Sequence, residues 1–153
     1  MSSWTKLRTL SFPEKRLLAA SVVLLPISAV ALRFVSLRRW QTFLSKALVR
    51  KRANKSYLHK SALDAAFEAA RMVRVASARG PYRGNCLQQS VTLWWLLQRR
   101  SIEGKIRFGA RKDGGRLEAH AWVEVDGCAL NEGRGSHNEF KPCDGATVGQ
   151  AGN

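Results

Sequence analysis

Cys86, in the run Asn85-Cys86-Leu87-Gln88-Gln89-Ser90, and His120, in Glu118-Ala119-His120-Ala121-Trp122-Val123-Glu124-Val125, are the two side chains best suited to joint chemistry. A thiol whose proton an imidazole can take is the nucleophile of cysteine acyl-transfer enzymes, and a third group must hold the imidazole in the right tautomer. Gly84 and Asn85 form a turn signal. Leu87, Val91, Trp94 or Trp95, and Gln98 then follow at spacings of three and four, which predicts a largely buried helix with Cys86 in its first turn. Free backbone N–H groups and the positive end of the helix dipole favour a thiolate there. That contribution, about 0.3–1 kcal/mol, is too small to make a good nucleophile alone. A neighbouring base is required, and His120 is the candidate. Singly, Cys86 reads as a small buried hydrophobe and His120 as a structural strand residue; their pairing gives the chemical reading.

Gly104 breaks the helical pattern, and Lys105-Ile106-Arg107-Phe108-Gly109-Ala110 alternates like a strand. Lys112-Asp113-Gly114-Gly115 reads as a turn. In the next strand Leu117, Ala119, Ala121, Val123 and Val125 share one face and Glu118, His120, Trp122 and Glu124 the other. Asp126-Gly127 is a hairpin signal that returns Cys128-Ala129-Leu130-Asn131-Glu132 beside the histidine strand. A two-residue loop pairs Val125 with Cys128 and so Trp122 with Asn131, placing Asn131 on the His120 face. A bulged loop pairs Trp122 with Glu132 instead. Asn131 and Glu132 are therefore both candidates to orient the imidazole.

The chain has 153 residues, 45% of them hydrophobic, which suits one domain with a helical extension and argues against wholesale disorder. Net charge is +15, which suggests an acidic partner or a solubilising surface. The basic residues gather near the front instead of around a nucleic-acid motif, so no nucleic acid is expected. Cys86, Cys128 and Cys143 are odd in number and widely spaced. They form neither a disulfide framework nor a metal site, and no cofactor is implied; a reducing, cytoplasmic setting fits.

Ser11-Phe12-Pro13-Glu14 has the form of a capping box and predicts a helix that Pro26 kinks or ends. The apolar run over residues 17–32 is slightly short for a bilayer span, and it imitates a signal peptide. Packing on the rest of the protein, or contact with a membrane surface or partner, is the preferred reading. Residues 33–55 mix Arg and Lys with apolar residues at helical spacing, predicting a second amphipathic helix. A third begins near Ser61 and runs to about Ser77. Trp94, Trp95 and Trp122 read as core.

Asn85-Cys86-Leu87-Gln88-Gln89-Ser90, Ile106-Arg107-Phe108-Gly109-Ala110, Ala119-His120-Ala121-Trp122-Val123-Glu124-Val125-Asp126-Gly127 and Leu130-Asn131-Glu132 together resemble the transglutaminase-like maturation proteases of lasso peptide biosynthesis. The resemblance covers roughly residues 62–132. It implies an α+β fold, papain/transglutaminase-like, with a Cys helix packed on a small antiparallel sheet and an N-terminal helical extension. It divides the chain into a basic helical region (1–60), a cysteine protease core (61–135) and a loose C-terminal tail (136–153). The implied activity is removal of the leader from a ribosomally made precursor peptide, which frees the core's amine for a separate ATP-dependent macrolactam cyclase. With no recognition domain seen before residue 60, a separate leader-recognition protein is implied. By the same resemblance Cys86 is the nucleophile and His120 the general base. The family's usual Asp falls on Glu132, which is one methylene longer, so Asn131 stays a rival. The Cys86 backbone N–H and a second donor, Gln88 or Gln89 among the candidates, would form the oxyanion hole. The same residues also fit an acyl transferase, and the charge fits a non-catalytic basic protein bound to an acidic partner or membrane surface.

Overall fold

The computed structural model describes residues 10–34, 59–131 and 141–142. Among these residues three helices come first: α1 (Phe12–Phe34), α2 (His59–Arg79) and α3 (Cys86–Arg99). Four strands follow: β1 (Lys105–Asp113), β2 (Arg116–Val125), β3 (Cys128–Ala129) and β4 (Lys141–Pro142). They form one antiparallel sheet in the order β3-β2-β1-β4, so the α+β expectation holds. The amphipathic helix expected over residues 33–55 lies almost wholly outside the described residues.

α3 is the element on which the others converge. It touches α1, α2, β1 and β2, and Ser90, Val91, Thr92, Leu93, Trp94, Leu96 and Leu97 are all buried. Helix α2 meets both α1 and α3, and its buried face is made of small residues, Ala66, Ala69, Ala70, Val73 and Ala76, which allow close approach. Trp94 is core, as expected, and its indole N–H donates to the Gly104 carbonyl at 3.0 Å. Trp122 is buried too, whereas Trp95 is half-buried with the Arg99 guanidinium 4.9 Å from its ring centre.

At the start of α1 the Ser11 backbone N–H and hydroxyl both donate to the Glu14 carboxylate, at 2.7 and 2.9 Å. Those two bonds, with the Arg71 guanidinium adding to them, hold the Glu14 carboxyl below its usual range. Arg71 also ties α1 to α2. Pro26 does not end the helix, which continues to Phe34. Proline costs one backbone hydrogen bond, but Leu25 and Ser28 on either side are seated against protein and keep both halves in one element. At 23 residues α1 is long and apolar enough to cross a membrane by length and composition alone.

Both β-hairpins turn on two residues of positive φ: Gly114 (53°) and Gly115 (87°), then Asp126 (49°) and Gly127 (80°). β1 therefore extends to Asp113, past the Ala110 limit expected for it. β2 is buried from Ala121 to Val123, yet Leu117 is 76% exposed and Ala119 is exposed as well. Among the described residues, the apolar face expected there is buried only from Ala121 onward. Lys141 and Pro142, which the sequence reading gave to a loose tail, pair with Ala110 and Gly109 as a strand of the sheet.

Candidate active site

Cys86 is the first residue of α3, half-buried, with a free thiol. Asn85 caps the helix: its side chain accepts from the Gln88 N–H at 2.9 Å, while Gln88 Oε1 accepts from the Asn85 N–H at 3.0 Å and from the Tyr82 hydroxyl at 3.1 Å. This reciprocal cap fixes where the helix starts and so where the sulfur sits. Asn85 also takes the Gln89 N–H through its carbonyl. The N–H groups of Cys86 and Leu87, with no intrahelical acceptor, are the donors left at the tip. Gln89 Nε2 instead holds the approach loop, donating to Ser77 Oγ at 3.1 Å and the Gly84 carbonyl at 2.8 Å. Ser77 completes that clasp by accepting the Gly84 N–H at 3.0 Å.

α1 backs the same loop. A Cβ on Gly84 would lie 2.8 Å from Leu25 Cδ2. Ser28 Oγ donates to the Leu25 carbonyl at 2.8 Å and accepts from Thr92 Oγ1 of α3 at 3.3 Å. Gly84→Ala is expected to destabilise the protein by about 1–3 kcal/mol through overpacking. Urea unfolding measures this, and an unchanged midpoint would mean that Leu25 moves aside freely.

His120 lies on β2 opposite Gly109 of β1, half-buried, its ring stacked on Trp122 with centroids 6.3 Å apart. The join between the cysteine helix and the histidine strand is made by Ser90, one turn beyond Cys86 and fully buried. Its hydroxyl donates to the carbonyl of Ala121, the residue after His120, at 3.0 Å. It also accepts from Asn131 Nδ2 at 2.9 Å, and Asn131 Oδ1 accepts from the Val123 N–H at 2.7 Å. Two side chains and a strand carbonyl from distant parts of the sequence thus meet at one hydroxyl.

The hairpin has the two-residue loop register, Val125 opposite Cys128 and Glu124 opposite Ala129. One further bond follows, from the Leu130 N–H to the Val123 carbonyl at 2.9 Å. There the chain leaves β2, and the Asn131 side chain takes the Val123 N–H that a backbone carbonyl would otherwise accept. Both ends of the Asn131 amide therefore serve the junction between helix and strand. Glu132 and Cys143 lie outside the described residues, and Cys128 is exposed on β3. Sequence reasoning missed Ser90 as the joining residue. The signal available was a hydroxyl on the apolar face of a helix, one turn from the nucleophile.

Residues 28–144 match the transglutaminase-like superfamily. The chain belongs to that superfamily. Its members include cysteine peptidases and transferases. The matched region of this transglutaminase-like chain begins inside α1 and runs past β4. No curated protein and no solved structure matches it.

Proposed function

We propose that this chain is a cysteine peptidase that releases the leader from a lasso peptide precursor. The observation that carries the reading is the pinning of the Cys86 helix onto the His120 strand by Ser90, in a chain of the transglutaminase-like superfamily. The resemblance of residues 85–90 and 119–132 to the leader proteases supplies the substrate class.

His120 takes the Cys86 proton, and the thiolate attacks the carbonyl carbon at the leader–core bond. The first-turn N–H groups, with Gln88 Nε2 as the further candidate, stabilise the oxyanion. The C–N bond breaks as His120 gives its proton to the leaving amine of the core. Water, deprotonated by His120, then attacks the thioester, releasing the leader as a carboxylic acid and restoring the thiol. A separate recognition protein presents the leader, and an ATP-dependent cyclase uses the freed amine. Mass spectrometry of a leader–core peptide incubated with the protein and that recognition protein tests this. The expected product is a free leader acid. A leader joined to another amine would assign the chain to the transferases instead, and an intact precursor would count against the reading.

Glu132 orients the imidazole in this proposal, while Asn131 holds the frame. Glu132→Gln is then expected to lower kcat by about 10²–10⁴-fold and to alter the pH profile, with the melting temperature unchanged. Asn131→Ala should instead lower the melting temperature. The opposite pattern would make Asn131 the orienting residue.

A further inference from the structure

α1 wears its polarity inside out. Its buried stripe is Leu17, Ser21, Leu25 and Ser28, with Ser21 0% and Ser28 4% exposed. On the opposite face stand Val23, Ile27, Val30 and Phe34, which are 57, 49, 58 and 80% exposed, and Phe12 continues the same stripe towards the N-terminus at 75%. The spacings of four, three and four keep Val23, Ile27, Val30 and Phe34 within one narrow arc of the helix. A helix facing water carries its polar residues outward; this one turns serines to the protein and Val, Ile and Phe away from it. Such a contiguous apolar strip marks a surface that is covered in use.

Charge identifies the cover. Half of the chain's 26 Lys and Arg fall in the first sixty residues, where Glu14 is the sole acidic residue of the chain's 11. Exposed Lys15 and Arg33 flank the strip on one side, and Arg16 lies on it. Apolar side chains rimmed by cations suit the boundary between acyl chains and anionic headgroups. Spanning is disfavoured by the other face, which is seated on α2 and α3 and tethered by the Glu14–Arg71 pair. We infer that α1 lies in the plane of an anionic bilayer surface and docks the domain there through Val23, Ile27, Val30 and Phe34. This goes beyond the peptidase reading and does not depend on it.

Flotation of the full chain with vesicles tests it. Equal parts phosphatidylcholine and phosphatidylglycerol should carry the protein up; pure phosphatidylcholine should carry much less. Raising salt from about 0.01 M to about 1 M, which shortens the Debye length from roughly 30 Å to 3 Å, should erase most of that difference. Val23→Gln, Ile27→Gln and Val30→Gln combined should cut partitioning at least about tenfold. The circular dichroism and melting temperature should not change, because these side chains touch little protein. Equal binding to both vesicles, or no loss in the triple variant, overturns the inference. So does a dimer that the triple variant dissociates without any vesicle binding, since the strip would then mate with a second copy. Retention in vesicles through an alkaline carbonate wash would overturn the in-plane placement.

Discussion

Cys86→Ala is expected to reduce cleavage of a leader–core precursor by at least about 10⁴-fold, while the melting temperature stays where it is. The two halves of the expectation have separate physical grounds. The loss is large because no other described thiol stands at the tip of α3, and without a sulfur there is no acyl-enzyme. The fold survives because a half-buried first-turn residue contributes little packing, and the cap made by Asn85 and Gln88 does not use the thiol. Cys128→Ala is the companion control: the residue is exposed on β3, and its removal should leave the rate alone. Retained cleavage by Cys86→Ala would end the peptidase proposal.

Ser90→Ala is expected to be the most damaging change of a single atom. The Ala121 carbonyl and Asn131 Nδ2 would both lose their bond to a fully buried hydroxyl. Each orphaned group costs roughly 1–3 kcal/mol, a large share of the 5–15 kcal/mol typical of a domain. The melting temperature should fall by roughly 5–20 °C. Below the new transition, kcat should drop more than KM rises, because the bond sets the distance between the helix tip and the histidine strand. A variant that melts and turns over like the parent would show that packing alone aligns the two elements.

Much of this arrangement could be read from local pattern. Leu87, Val91 and Trp94 announced α3, Gly84 and Asn85 its start, and Asp126-Gly127 the hairpin, whose register the sequence left open between a two-residue and a bulged loop. Ser90 was not legible in its role, because its partners, Ala121 and Asn131, are distant in sequence and a hydroxyl leaves no periodic trace. Ser21 and Ser28 were obscured by the same effect: within an apolar run they say nothing of which face turns inward. Pro26 suggested a kink or an end; its local cost is real, but Leu25 and Ser28, held by tertiary packing, carry the helix past it. The exposure of Leu117 and Ala119 depends on how far the helical layer reaches over the sheet, and alternation along one strand carries no such information. Two paired residues, Lys141 and Pro142, are too short a strand to stand out from a polar sequence.

The brevity of β3 and β4 has a consequence for solubility. With only two residues in each flanking strand, long stretches of β1 and β2 lack a neighbour among the described residues. Open edges of that kind recruit strands from other molecules and seed aggregates. Arg111, Lys112, Arg116 and Glu118 crowd the far end of the hairpin, Arg111 and Glu118 paired at 2.8 Å. Any strand adding there would have to dehydrate those charges, which works against recruitment at that end of the hairpin.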